Sequence, residues 1–193
     1  MGAIMSQDLS RSLARNEPQA LAAVPAPEQY LTFLLGGEMF GLAILNVKEI
    51  IEYGNLTEIP MMPSFIRGVI NLRGRVMPVI DLSARFGGRP TAVARRTCIV
   101  IVEMKEEQQS DQCQDIGIMV DAVSEVLDIP RTEIEAPPAF GAKIRTDFIH
   151  GMGKVAGRFV IILDVQRVLS VEEIALLAGA QEHSGRPIGQ LEH

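Results

Sequence analysis

Apolar residues fall in short runs of branched side chains, each bounded by glycine, proline or charged turns. That pattern predicts strands rather than helices. Tyr30 to Leu35 reads as one strand, ended by Gly36-Gly37, and Met39 to Ile44 as the next. Val76 to Leu82, Thr97 to Met104, Asp115 to Val120, Val123 to Ile129 and Phe159 to Val165 continue the series. Glu106 to Gln114 is polar and reads as an exposed hairpin loop. A short helical turn is read at Ala43 to Val47. One helix is well signalled: Ser170 can cap it, Glu173 follows three residues later, and Ile174, Leu176 and Leu177 supply a face for packing. Ile4, Met5, Leu9 and Leu13 have the spacing of a short amphipathic helix, but the prolines at 18, 25 and 27 favour a mobile tail. Ser184-Gly185-Arg186-Pro187 also reads as tail, and Leu191-Glu192-His193 as the start of an expression tag.

The strands repeat. FIRGVINLRGRVMPVIDL, from Phe65, aligns without a gap with FIHGMGKVAGRFVIILDV, from Phe148, an offset of 83 residues. Phe65/Phe148, Ile66/Ile149, Gly68/Gly151, Gly74/Gly157, Arg75/Arg158 and Asp81/Asp164 coincide, where ordinary composition gives about one coincidence. Upstream, Phe40 to Glu52 matches Ile116 to Asp128 at an offset of 76. The seven-residue difference fits a longer loop around Ala136-Pro137-Pro138 in the second copy. A unit of about 65 residues with several short strands closes most readily as a small barrel, which removes exposed edges. The expected fold is therefore mainly β: two similar small barrels packed together, with a C-terminal helix. The expected bounds are a tail at 1–27, barrels at 28–95 and 96–169, a helix at 170–179 and a tail at 180–193, with strand exchange at the ends left open.

The repeat also sorts roles. Shared glycines permit turns with positive φ. Arg75/Arg158 and Asp81/Asp164 are expected to make local polar contacts in each barrel. Residues that differ are freer for function: Arg73 faces Ala156, Arg67 faces His150, and Asn71 faces Lys154. The first copy is the more specialised. If Val47 to Tyr53 is a strand, Val47, Glu49, Ile51 and Tyr53 share one face, and Lys48, Ile50 and Glu52 the other. This is either a surface strand of mixed character or a binding edge, with Ile50 exposed and Glu49 paired with a cation. Arg73 is the natural cation, so a Glu49–Arg73 ion pair is expected.

Composition narrows the function. The chain has 193 residues, 47% hydrophobic, with 18 Lys and Arg against 24 Asp and Glu and a net charge of -6. A nucleic-acid binder needs a basic face, so that class is disfavoured. Cys98 and Cys113 are too few for a disulfide framework or a four-thiolate zinc site. No apolar run reaches the roughly 18 residues of a membrane span, and no secretory signal is visible. Met1-Gly2 with Ser6 formally fits an acylation motif, a pattern too short to carry weight. The expected setting is the cytoplasm. His150, His183 and His193 stand near no recognisable nucleophile and form no metal set. Gly151-Met152-Gly153-Lys154 with Gly157 has the wrong spacing for a phosphate loop and leads into a strand, not a helix. No catalytic residue, metal or cofactor is expected.

The run Gly41 to Glu52, then Ile59-Pro60, then RGVINLRG followed by PVIDL closely resembles the CheW family of bacterial chemotaxis adaptors. GIMVDAVSEVL, Pro137 and FIHGMGKVAGRFVIILDV extend the resemblance, which covers about 29–179. It implies two five-stranded SH3-like barrels around a hydrophobic interface, in accord with the repeat. It implies a non-enzymatic scaffold that joins chemoreceptor cytoplasmic tips to the regulatory domain of the histidine kinase CheA, at membrane-associated arrays and without inserting into the membrane. Val47, Glu49, Ile50, Arg67, Gly68 and Arg73 match positions of receptor contact or its support. Cys98 and Ile99 fall on a strand expected to line the neighbouring groove, where a free thiol acts as a small hydrophobe. Kinase contacts are expected at the barrel ends, through apolar turn residues, with no residue assigned. An adaptor of a parallel pathway, such as pilus motility or surface sensing, is the alternative within the family. An uncharacterised barrel enzyme, or a piece of a larger kinase or receiver-bearing coupling protein, is less favoured.

Overall fold

The computed structural model describes residues 26–105, 113–138 and 144–170. The helix expected after Ser170, the N-terminal amphipathic stretch and residues 106–112 of the polar loop lie outside the described residues. The apolar runs become β1 (Glu28–Leu35), β2 (Glu38–Ala43), β3 (Val47–Glu52), β5 (Arg75–Asp81), β6 (Cys98–Lys105), β7 (Cys113–Val120), β8 (Ala122–Ile129) and β11 (Arg158–Leu163). A 3-10 turn at Ile44–Asn46 stands where a helical turn is read from the sequence. Cys113 and Gln114, expected in the loop, open β7 instead. Strands β4 (Ile66–Leu72), β9 (Ile134–Glu135) and β10 (Ile149–Val155) are additional. Glycines and charged residues interrupt their apolar pattern, so periodicity conceals them.

The repeat is a repeat of structure. Hairpins β4–β5 and β10–β11 share one register, with bulges at Ile66/Gly68 and Ile149/Gly151. Both turns take positive φ at two successive residues, Arg73 and Gly74 in one, Ala156 and Gly157 in the other. Each hairpin runs into a single helical turn, α1 (Leu82–Arg85) or α2 (Val165–Val168), capped by the repeated aspartate. Asp81, fully buried, accepts from the Ser83 and Ala84 amides and from both the amide and hydroxyl of Thr91. Asp164 accepts from the Arg167 amide. The expected symmetry of the arginines fails: Arg75 reaches Asp115, whereas no hydrogen bond or ion pair joins Arg158 to the described residues. The second hairpin has Met39, on β2, where the first meets Asp115, so that position offers Arg158 no acid.

Strand pairing crosses the repeats. The sheet orders are β8-β1-β2-β11-β10-β9 and β3-β6-β7-β5-β4. The parallel contacts are reciprocal: Gly41 of β2 faces Ile162 of β11, and Gly117 of β7 faces Val79 of β5, the same positions of the repeat. Each copy thus lends its first two strands to the other copy's sheet. A boundary near residue 95 separates the repeats along the sequence, but the hydrogen bonding does not follow it. Periodicity shows which face of a strand is buried, not which neighbour it chooses.

Two buried faces explain why β6 and β7 are almost continuously apolar. Val100, Val102, Ile116, Ile118 and Val120 join a core between the sheets, with Phe33, Phe40 and Phe148. Ile99, Ile101 and Met119 turn the other way, into a barrel interior with Ile70, Met77 and Val79. The second interior is built on Tyr30, Ile129 and Ile162. Between the sheets, the Arg85 guanidinium lies 5.2 Å from the Phe65 ring and 4.9 Å from the Phe148 ring, the two equivalent phenylalanines, and donates to the Val168 carbonyl.

Candidate functional site

β3 is an edge strand of its sheet and carries the predicted site residues Val47, Glu49 and Ile50. Its ladder with β6 steps from Val47↔Val102 to Glu49↔Ile101, so Lys48 is the extra residue of a bulge. The bulge corrects the expected division of faces. Val47 packs on the core between the sheets, while Ile51 and Tyr53 enter the barrel interior. One extra residue exchanges the faces of a strand. Ile50 is left 43% exposed at the edge.

The expected ion pair is present. Arg73, held at positive φ in the β4–β5 turn, donates from Nη2 to Glu49 Oε1 at 2.8 Å. The pair is largely exposed, so it is worth about 1 kcal/mol or less to stability. Cys98 begins β6 opposite Glu52, half-buried against the same core as Val47, and its thiol donates to the Arg96 carbonyl. Ile99, expected to line the groove, is instead wholly buried in the barrel interior, because it lies on the opposite face of β6 from Cys98. Arg67 and Gly68 lie on β4, the opposite edge strand, and no hydrogen bond or ion pair joins Arg67 to β3 among the described residues. Gly68 has φ 142, and a Cβ there would run into the Thr57 carbonyl. That position accepts only glycine, and it lets Val69 pair with Thr57.

Two features escape sequence reasoning. The first is a charge cluster: Lys48 Nζ lies 2.7 Å from Glu103 Oε1 and 2.8 Å from Asp115 Oδ1, and Arg75 Nη1 lies 2.9 Å from Asp115 Oδ2. Contact with Asp115, then with Glu103, holds the Lys48 ammonium above its ordinary pKa. The readable signal was the repeat change from Met39 to Asp115 on an apolar strand. The second feature is paired apolar exposure. Val76 (67% exposed) and Phe159 (53%) occupy equivalent places beside the two hairpin turns. Ile50 has its own equivalent, Val126, 47% exposed. Leu45, in the turn before β3, is almost wholly exposed.

The second barrel has different polar chemistry at its edge. Tyr30 donates to Glu28 Oε2 at 2.7 Å, and Arg131 Nε to Glu28 Oε1 at 2.7 Å. These bonds, the tyrosine's first, hold the Glu28 carboxyl below its ordinary pKa. Burial, then the bond to Glu28, pushes the Tyr30 hydroxyl up to about 12. Among the described residues, no group of three or more His, Cys, Asp or Glu is placed to hold a metal ion, and no helix is long and apolar enough to cross a membrane.

Residues 29–173 match the family model of the CheW-like domain. The chemotaxis protein CheW of Klebsiella aerogenes is 34% identical over 157 residues, which are 81% of this chain and 90% of that protein. Protein FrzA of Myxococcus xanthus is 31% identical over 140 residues, 72% of this chain and 82% of its own. Among solved structures, the scaffolding protein TtCheW of Thermoanaerobacter tengcongensis superposes with a TM-score of 0.66 at 37% identity, covering 76% of this chain and 90% of that one. The two barrels are accordingly SH3-like. A repeated barrel with exchanged strands, matched by a family model over most of its length and by solved and curated relatives alike, leaves one assignment: the chain belongs to the CheW-like domain family.

Proposed function

We propose that this protein is a non-catalytic adaptor coupling the cytoplasmic tips of chemoreceptors to the regulatory domain of the histidine kinase CheA, at membrane-associated arrays in the cytoplasm. The observation that carries the reading is the β3 edge: an apolar side chain, Ile50, presented beside an exposed ion pair on a strand firmly backed by core. Such an edge suits the apolar face of a receptor helical hairpin, with the charges setting register and partner choice more than affinity. Glu49, Ile50, Arg67, Arg73 and Cys98 are the proposed contacts. Val47, Gly68 and Ile99 hold them in place. The equivalent apolar residues beside the hairpin turns, Val76 and Phe159, are the proposed kinase-facing positions at the two barrel ends. Binding alone does the work, and signalling is a coupling free energy between the two kinds of site.

Co-sedimentation with receptor signalling fragments and CheA tests the reading. Arg73→Ala is expected to weaken receptor-dependent kinase control while the barrels stay folded. A variant that binds and couples normally would show the receptor surface to be elsewhere. The likeness to FrzA favours a second reading, an adaptor of a parallel chemosensory pathway. Pull-downs against each candidate kinase separate the two.

A further inference from the structure

The charge cluster around Asp115 has no counterpart in the other barrel. Asp115 lies near the start of β7, two residues before Gly117 and on the same, interior-facing side. Its side chain is only 7% exposed. Lys48 comes to it from β3 and Arg75 from β5. In the sheet these strands are not neighbours, because β6 and β7 stand between them. One carboxylate therefore ties two strands that no backbone hydrogen bond joins.

Lys48 owes its direction to the β3 bulge, since the extra residue of a bulge is re-aimed. The matching bulge of β8 against β1 is closed differently. There the Thr32 hydroxyl donates to the Glu125 carbonyl at 2.7 Å and accepts from its amide at 3.3 Å. Ser124 stands in the place of Lys48, Met39 in that of Asp115, and Leu34 in that of Glu103. Leu34 and Met39 are ladder partners, as Glu103 and Asp115 are. The fold thus makes this bulge without charge, and apolar residues fill the same positions. Burying a carboxylate is costly when cheaper apolar packing is available. The buried Oδ1 meets the Lys48 ammonium at 2.8 Å, so this oxygen depends on Lys48. A cluster that the equivalent bulge does without, confined to the barrel with the proposed receptor edge, points to that edge.

We propose that Asp115 is a positioning residue: through Lys48 and Arg75 it locks β3, with Glu49 and Ile50, to the β4–β5 hairpin, with Arg73 and Val76. The proposal rests on the adaptor reading for its purpose, not for its geometry. The lock presents Ile50 on a fixed edge. It also passes a push on β3 to the hairpin, where a loose edge strand would absorb it.

The test uses the full chain with Asp115→Asn, and with Lys48→Gln and Arg75→Gln on the exposed side of the same contacts. Amide exchange is read strand by strand, and affinity for a soluble receptor signalling-tip fragment is measured beside it. Asp115→Asn is expected to speed exchange at Ile50, Ile51 and Glu52 by about tenfold, leave the equivalent Val126, Leu127 and Asp128 unchanged, and weaken receptor binding by about fivefold. Lys48→Gln and Arg75→Gln are each expected to give part of this effect, and to add little when combined with Asp115→Asn. Equal acceleration in β3 and β8 would mean a general loss of stability and overturn the lock. Unchanged exchange at β3 would overturn it too, as would loosened exchange with full receptor affinity. Should Asp115→Asn fail to fold, the Lys48→Gln, Arg75→Gln double variant makes the same comparison. Failure of the unmodified chain to bind the receptor fragment sinks the adaptor reading, while the exchange data still decide the lock.

Discussion

The two barrels share one plan of strands and differ in how they use it. Apolar exposure is common to both: Ile50 answers to Val126, and Val76 to Phe159. Charge is not. The first hairpin's barrel carries Glu49–Arg73 and the Asp115 cluster, whereas the other carries Glu28, Tyr30 and Arg131. The interiors differ as well. Gly153 takes the place of Ile70, and Tyr30 takes that of Ile99, so bulk moves across the barrel rather than disappearing. Duplication preserved the sticky positions and diversified the charges around them. On the proposed adaptor reading, the first kind of residue serves affinity and the second the choice of partner.

The sharpest way to break the equivalence lies at Gly68 and Gly151. A Cβ at Gly68 overlaps the Thr57 carbonyl oxygen at a φ unsuited to L residues, while at Gly151 it crowds the Ile134 Cγ2 methyl and, less closely, the Glu135 carbonyl, at a φ that L residues adopt. Gly68→Ala is expected to cost about 3 kcal/mol, and Gly151→Ala about half of that, by urea denaturation. Arg85 comes next. It is stacked near both repeated phenylalanines, so Arg85→Ala is expected to cost about 1–2 kcal/mol and to loosen amide exchange in both sheets together.

A smaller effect belongs to one barrel. The Tyr30 hydroxyl is raised from 10.0 to about 12, so the fold favours its neutral form. The stability this gives is complete below pH 10 and is lost as the pH rises from 10 to about 12. Tyr30→Phe is expected to flatten that part of a pH-stability curve. Glu28 has the opposite sign: its lowered pKa stabilises above pH 4.5, and the benefit is lost as the pH falls below that value. Smallest of all is the transplant. Glu125 stands where Glu49 does and Ala156 where Arg73 does, so Ala156→Arg is expected to create a second ion pair worth about 0.5 kcal/mol or less. A double-mutant cycle with Glu125→Gln measures it. Equal gain with and without Glu125 would show that no pair forms.

Strands with both faces buried were easy to read, because an unbroken apolar run such as Ile99 to Val102 has no other use in a small β unit. Hairpin strands β4 and β10 were not, since Gly68, Gly151 and Gly153 serve close backbone and side-chain approach instead of apolar burial. Val47 was placed on the wrong face of β3 because the bulge at Lys48 leaves no mark in composition. Glu49 and Arg73 were legible because the repeat isolates Arg73 as a difference. Arg75 was not, because the repeat presents it as a likeness to Arg158, and only the folded chain shows that one of the two has an acid to meet.

The reciprocal loan of β1–β2 and β6–β7 has a consequence for how the molecule comes apart. Neither barrel can lose its sheet without taking strands from the other, so the halves hold no separate stabilities. Heat or denaturant is expected to meet a single cooperative transition rather than two. Topologically the chain is a swapped dimer joined into one polypeptide, and cutting the link near residue 95 leaves two pieces that each need the other to close.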